Sequence, residues 1–246
     1  MAHHAVDMAR RTSPLLAGLD EHELSELFAA GRPARRRRGE TVLRSEDDRA
    51  VVLLSGTAVA AVVGGDGLPV IVDFLGPGAV AGLPVVLGRP DAGMRVTALS
   101  PVSGIFLDGT VLRDRIGSQP SLAMACLRSV TSELAAARDD LARHADTSTT
   151  ERIVDRLLQL ADRWGEPVDG SVHIAIPLTQ EMLASWSRSS RESTVKALHE
   201  LREAGLVRTG RRDLTILDIE RLNRRRDTAR SSTGRMLYDL IGSSSS

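Results

Sequence analysis

The chain has one cysteine, one lysine, few aromatic side chains and no long apolar run, and each shortage removes a class of explanation. Cys126 alone builds neither a disulfide framework nor a thiolate zinc site nor a four-thiolate iron–sulfur cluster. No stretch reaches the roughly 18 apolar residues of a membrane span. The opening MAHHAVDMARR has no apolar signal-peptide core, so no membrane partner is expected and the expected location is the cytoplasm. Net charge is zero, 32 basic residues against 32 acidic, so any affinity for nucleic acid must come from local clustering. Lys196 is the sole lysine, and an arginine excess of this kind fits a base-composition bias as well as a function. The six histidines (His3, His4, His22, His144, His173, His199) show no ligand spacing, and Ser185, Ser187, Ser189 and Ser190 read as turn and cap residues. With no nucleophile–base set and no phosphate loop, no catalytic residue, metal or cofactor is expected and the protein is not read as an enzyme. What remains is 246 residues, 42% hydrophobic, enough for one large domain or two small ones with a buried core.

The texture changes twice along the chain. DEHELSELFAA places Leu24, Leu27 and Phe28 at helical spacing behind an acidic first turn, which predicts a helix over Asp20–Ala30. The basic run Arg35–Arg38 follows, then short alternating segments broken by glycine (TVLR, AVVLLSG, TAVAAVVGGDG, LPVIVDFLGPG, RVTAL, SGIFLD), the pattern of an antiparallel barrel or sandwich. From about Ser118 to Ala145 glycine disappears, and Ala123, Leu127, Val130, Leu134, Ala137 and Leu141 alternate spacings of three and four. That is the seam of a helix pair, so a long dimer helix is expected, with Leu127, Val130, Leu134 and Leu141 as dimer residues. The alternative is a helix lying on its own β domain. A further helix is expected over Thr147–Trp164, stopped by Gly165, and then a short strand in SVHIAIPLT. The tail RSSTGRMLYDLIGSSSS is of low complexity except for MLYDLI, which reads as one docked turn or as disorder.

The third block, LTQEMLASWSRSSRESTVKALHELREAGLVRTGRRDLTILD, has four parts in fixed order. Thr179 is placed to cap a short helix through Ala184 with Gln180 in its first turn, Ser187–Ser189 form a turn, a second helix runs from about Ser190 to Ala204, and Leu206–Leu217 make a hairpin with its tip at Thr209–Asp213. Helix, turn, helix and β wing is the winged helix-turn-helix, whose second helix enters the major groove of double-stranded DNA. On that helix Thr194, Ala197, Leu198 and Leu201 share one side, while Glu192, Lys196 and His199 share the other. Arg191, Glu192 and Lys196 lie where a recognition helix meets base edges; arginine and lysine suit guanine, and glutamate accepts from cytosine N4. Glu192 has a competing reading, a capping box with Ser189. Between Pro177 and Arg226 there are eleven basic residues against seven acidic, an excess suited to phosphate contacts, with Arg208, Arg211 and Arg212 on the wing as candidates. Trp186 reads as a core plug between the two helices.

This layout resembles the CRP/FNR family of bacterial transcription regulators over nearly the whole chain, most closely at Ser190-Arg191-Glu192 with Lys196, where the family has its DNA-reading Ser-Arg-Glu and following basic residue. GETVLR, LLSG around Gly56 and FLGPGAVAG around Gly78 and Gly82 look like the family's β-barrel turns. The resemblance implies an α+β fold: an N-terminal β-barrel of the cyclic-nucleotide-binding jelly-roll type over residues 1–117, a long dimerisation helix over 118–146, a C-terminal winged helix-turn-helix over 147–226 and a tail over 227–246. It also implies a homodimer on a palindromic site, contact with RNA polymerase, and Thr179, Gln180, Ser189 and Ser190 as further DNA-side residues.

The departures fall in the effector half. Members that bind cyclic AMP have Gly-Glu-Leu and then an arginine followed by Ser or Thr, for the ribose hydroxyl and the cyclic phosphate. Here Gly82 is followed by Leu83 and Pro84, and the arginine position falls on Ala92, so Arg89 or Arg95 substitutes only with a shifted loop. Thr131-Ser132 resembles the family's base-contacting Thr-Ser pair, but counting back from Arg152 puts that register near Ala137-Arg138. Gly82, Leu83, Arg89, Arg95 and Thr131 are thus the candidate pocket of a degenerate site; leucine cannot accept from a hydroxyl, and an anion without its guanidinium loses a bidentate partner. No tight binding of cyclic AMP is expected, and the effector, if there is one, has no signature. In the DNA motif, Ser187 and Arg188 replace a small apolar residue and glycine, which puts about 1 kcal/mol of left-handed strain on the turn. The expectation is a sequence-specific DNA-binding homodimer. The alternative is a small-ligand sensing or interaction module whose winged helix has lost sequence-specific binding.

Overall fold

Alternating apolar residues become strands wherever the pleat finds cover, and the strands Arg49–Ser55 and Val102–Asp108 of this protein find it on both faces. In the computed structural model, which describes residues 9–65, 67–88, 93–144 and 147–228, the chain divides into two compact units, residues 1–137 and 138–246.

The first unit opens with a short helix α1 (Pro14–Ala17), capped by Ser13, and α2 (Glu21–Ala30), which starts one residue after the expected Asp20 because Asp20 is its N-cap in a capping box with Glu23. The strands β1 (Arg32–Arg36), β2 (Thr41–Arg44), β3 (Arg49–Ser55), β4 (Ala58–Val63), β5 (Pro69–Leu75), β6 (Val80–Ala81), β7 (Arg95–Ala98) and β8 (Val102–Asp108) form two antiparallel sheets, in the orders β1-β8-β3-β6 and β2-β7-β4-β5. Between the sheets lies one apolar core, with Val51, Leu53, Val102 and Phe106 from the first and Leu43, Ala58, Val96 and Ala98 from the second. The outer face of the first sheet carries a second core, in which Ala50, Val52, Ile105 and Leu107 meet Leu15, Leu16, Leu24 and Leu27 of the helices. Residues 50–53 are therefore buried four in a row, with alternate side chains entering different cores. Each fully buried leucine is worth about 1.5–3 kcal/mol. The basic run predicted from sequence begins inside the edge strand β1, where Pro33 and the arginines leave an edge unsuited to pairing with another chain.

A short helix α3 (Leu83–Val86) follows Gly82, and after β8 come α4 (Gly109–Ser118) and the long α5 (Pro120–His144). The long helix was expected from Ser118. It starts at Pro120 because a proline holds the residue before it extended, and Gln119 sits at φ −121°, ψ 97°. Two faces of α5 have different fates. Leu122, Ala125, Cys126 and Ser129 are buried, the first three in the helix-side core, while Met124, Leu127, Val130, Leu134 and Leu141 are exposed. One face of this helix thus lies on its own β unit, as the alternative reading had it, and the other presents an uncovered apolar stripe. Burial pushes the Cys126 thiol up to about 11.

In the second unit α6 (Thr149–Trp164) is capped by Ser148 in a box with Glu151 and buries Ile153, Val154, Leu157 and Leu160. The hairpin β9 (Gly165–Val168) and β10 (Ser171–Ile174) comes next; β9 was not anticipated, since GEPV has no alternation and carries a proline. Then α7 (Gln180–Trp186), α8 (Arg191–Glu203), β11 (Val207–Gly210) and β12 (Asp213–Ile216) complete a sheet in the order β11-β12-β10-β9. Both α6 and α7 pack against α8, and residues 219–228 are helical. Among the described residues no helix is long and apolar enough to cross a membrane. Arg89, Ala92 and the MLYDLI segment lie outside the described residues.

Candidate nucleic-acid interface

The recognition helix is set by its caps. Thr179 accepts from the Met182 amide at 3.1 Å to start α7, two residues longer than the sequence indicated. In the turn Ser187 is fully buried, and Arg188 takes a left-handed conformation at φ 49°, as its place in the motif required. Helix α8 is capped by Ser190, whose Oγ accepts from the Ser193 amide at 3.0 Å and lies 2.9 Å from the Ser193 hydroxyl. The capping box read between Ser189 and Glu192 is therefore corrected: the cap is one residue later, and Glu192 is left exposed at the first turn. The Ser189 hydroxyl instead donates to the Ser187 carbonyl at 3.1 Å, inside the turn.

Thr194, Ala197, Leu198 and Leu201 are buried, and Arg191, Glu192, Lys196 and His199 are exposed, so the two faces of α8 divide as the periodicity predicted. Arg191 lies 3.6 Å from Glu181 of α7, with both side chains more than 70% exposed. A pair this open is weak and exchanges readily for another acceptor. On the wing Arg208 is exposed on β11, and Arg211 and Arg212 form the exposed tip, Arg212 at φ 61°. Among the described residues Lys196, Arg208, Arg211 and Arg212 make no ion pair with a carboxylate. Arg202 of α8 donates to Thr209 of the wing at 3.2 Å, fixing wing to helix. A cleft of about 640 Å³ opens between the start of α7, α8 and the wing, with Gln180, Glu181, Arg191, Arg211 and Arg212 on its walls. Chemically this is a surface of mobile guanidinium and ammonium donors with one carboxylate acceptor, lying beside the positive N-terminal end of a helix.

Two arginines of α6 that contact the motif stand outside the residues expected from the sequence. Arg152 of α6 donates to the Ser187 carbonyl at 3.2 Å, the Ser189 Oγ at 3.2 Å, the Thr147 carbonyl at 2.6 Å and the Thr149 Oγ1 at 3.2 Å, and so holds the turn. Arg156, one turn further, is buried beside Trp186, its guanidinium carbon 4.4 Å from the ring centroid. A signal was present: Arg156 stands on the apolar stripe of Ile153, Leu157 and Leu160, where a charge requires a partner. Trp186 is buried, as its reading as a core residue anticipated.

The effector-side residues are placed separately. Gly82 has φ 92°, and a side chain there would meet the Arg49 carbonyl at 2.3 Å, so only glycine fits. Leu83 is buried in the helix-side core. Arg95 is exposed on β7, opposite in phase to Val96 and Ala98, which enter the core between the sheets. Leu83 and Arg95 thus do not share the space between the sheets. The Thr131 hydroxyl donates to the Leu127 carbonyl of its own helix. Among the described residues no three His, Cys, Asp or Glu side chains come together as a metal site.

Residues 151–225 match the family described as a Crp-like helix-turn-helix domain. The chain is 27% identical over 213 residues, 86% of its length and 95% of the relative's, to the CRP-like cAMP-activated global transcriptional regulator of Mycobacterium tuberculosis. Residues 151–225 are thus similar to a Crp-like helix-turn-helix domain, and most of the chain resembles a CRP-like transcription regulator. Its fold is also that of solved CRP/FNR-family regulators. A CRP/FNR-family transcriptional regulator of Thermus thermophilus superposes with a TM-score of 0.67 at 21% identity, covering 80% of this chain and 100% of that one. FixK2 of Bradyrhizobium japonicum does so with a TM-score of 0.66 at 20% identity, covering 79% and 96%. The α+β class, with N-terminal antiparallel sheets, a long helix and a C-terminal winged helix-turn-helix, is as the sequence indicated.

Proposed function

We propose that the protein acts in the cytoplasm as a homodimer that reads a palindromic site in double-stranded DNA, with Arg191, Glu192 and Lys196 of α8 on base edges and Arg208, Arg211 and Arg212 of the wing on phosphates. The observation that carries this is the outer face of α8: its first two turns hold exposed Arg191, Glu192 and Lys196 beside wing arginines that make no ion pair with a carboxylate among the described residues. The exposed stripe of Leu127, Val130, Leu134 and Leu141 supports dimerisation through α5, which puts two recognition helices about 34 Å apart on one DNA face. RNA polymerase is the further partner that regulators of this type serve.

The Mycobacterium relative is named for activation by cAMP; for this chain we propose no tight binding of that nucleotide. Leu83 stands where a ribose acceptor is needed and is committed to a core, and Arg95 lies on the outer face of its sheet. The competing reading, a sensing or interaction module without sequence-specific DNA binding, draws on zero net charge and the non-glycine Arg188 in the turn. Selection of bound fragments from a genomic DNA pool with no nucleotide added separates the two. Enrichment of a palindrome with half-sites one turn apart is the expected result, and enrichment of no sequence rejects nucleotide-independent reading.

A further inference from the structure

One buried charge has no place on the DNA-facing surface. Arg156 of α6 is 5% exposed. Its guanidinium meets Asp140 of the long helix with Nη1–Oδ1 at 2.8 Å and Nη2–Oδ2 at 2.9 Å, reaches Gln159 Oε1 at 3.1 Å, and lies over the Trp186 ring. Three elements are thereby tied at one group: the last turns of α5, the middle of α6 and the final residue of α7. One turn back on α6, Arg152 grips the next residues of the same motif, Ser187 and Ser189, together with Thr147 just before α6 and Thr149 at its start. Two arginines at i and i+4 therefore hold Trp186, Ser187 and Ser189 in sequence and fasten them to the end of the long helix.

An apolar residue would fill the Arg156 position with less desolvation, and buried ion pairs are often no more stable than apolar replacements. A buried charge pair differs from apolar packing in tolerating one register only, because a displaced charge is left without its partner. A cation over an indole adds a second directional constraint. The compact second unit begins at Arg138, so Asp140 belongs to the same body as the motif it is tied to.

We propose that Asp140, Arg156 and Trp186, with Arg152, are positioning residues that lock the last turns of the long helix and the turn of the helix-turn-helix into one register within the second unit, so that α8 is presented to DNA in one orientation. The proposal rests on the reading of α8 as a DNA reader, and its test carries one readout that does not.

In the full-length protein, Arg156→Met fills the volume without the charge, and Asp140→Asn keeps the volume and removes the partner charge. The expected result for both is a folded protein whose preference for the selected operator over a random duplex of equal length falls about tenfold. Affinity for the random duplex and its salt dependence stay as in the unsubstituted chain, because the phosphate-contacting arginines are untouched. Amide hydrogen exchange of the free protein speeds up at residues 138–141 and 187–193 together, while the centre of α6 keeps its protection. An operator preference within about twofold of the unsubstituted protein overturns the proposal. If the unsubstituted protein shows no operator preference, the proposed function fails and exchange alone decides: joint loosening of the two segments supports the lock, and unchanged protection in either overturns it. If Arg156→Met does not fold, Asp140→Asn is read by the same criteria.

Discussion

Among the described residues the N-terminal unit buries the polar side chains of Ser13 and Ser129, whereas the C-terminal unit buries those of Arg156, Ser187, Thr194 and Thr215. Ser13 is a helix cap, and the first unit otherwise sits on two apolar cores that share β3 and β8. The second unit places its buried polar groups in and around the motif: Ser187 in the turn, Thr194 on the recognition helix, Arg156 against Trp186. Aliphatic packing makes a scaffold tolerant of sequence change, while hydrogen-bonded and charged junctions fix one geometry. The contrast teaches where this chain concentrates specificity. Its N-terminal unit commits Leu83 to a core, while its helix-turn-helix unit keeps groups that tolerate only one arrangement.

The largest expected effect breaks the comparison at its seam. Leu127→Asp with Leu134→Asp places charges on the exposed α5 stripe, outside both cores of the scaffold. The monomer is expected to keep its fold by circular dichroism, while sedimentation shows loss of the dimer and palindrome binding disappears. A dimer surviving both substitutions would move the interface elsewhere. Next in size, Arg211→Ala and Arg212→Ala on the wing tip should weaken binding to all sequences alike and reduce the slope of log affinity against log salt by about 1 for each phosphate no longer neutralised. A change confined to one base position would reassign the wing from phosphate to base reading.

Much of the second unit was legible, and for a stated reason: Thr194, Ala197, Leu198 and Leu201 follow the helical period, and Gly205 and the Arg211-Arg212 tip punctuate it. Local rules also placed α2, and they missed the cap of α8 by one residue because Ser189 and Ser190 have the same chemistry. Strand β9 was invisible because only its pairing with β10 makes GEPV extended. The two arginines of α6 were hidden for the same reason: their partners on the long helix and in the turn lie 16 to 37 residues away, and no periodicity encodes those contacts. In the first unit the leucine after Gly82 was plain from sequence, but the commitment of Leu83 to the helix-side core became visible only with the fold.

A smaller prediction sharpens the contrast from within the motif. Thr194 Oγ1 is buried with no hydrogen-bond partner among the described residues, so Thr194→Val is expected to raise stability by about 1 kcal/mol in denaturant unfolding. A loss of stability would show that the hydroxyl is satisfied in solution. The smallest effect belongs to the scaffold. Hydrogen bonding to Arg113 holds the Asp48 carboxyl below its ordinary range, with Nη1–Oδ1 at 2.8 Å and Nη2–Oδ2 at 2.9 Å. A depressed carboxylate stabilises the fold above its unfolded pKa of about 3.9 and loses that contribution as the pH falls through its folded value. Arg113→Ala should therefore raise the acid-unfolding midpoint slightly, less so at high salt because the pair is exposed. An unchanged midpoint at low salt would show that the pair adds nothing.

The central claim, that α8 reads base edges through its first two turns, is tested most directly by measuring the affinity of Arg191→Ala for a selected operator and for the same operator with single base pairs changed. The account predicts a loss of about 1–3 kcal/mol on the intact operator, with discrimination relaxed at one base position in each half-site and the remaining positions unchanged. Operator affinity and base discrimination equal to those of the unsubstituted protein would contradict it.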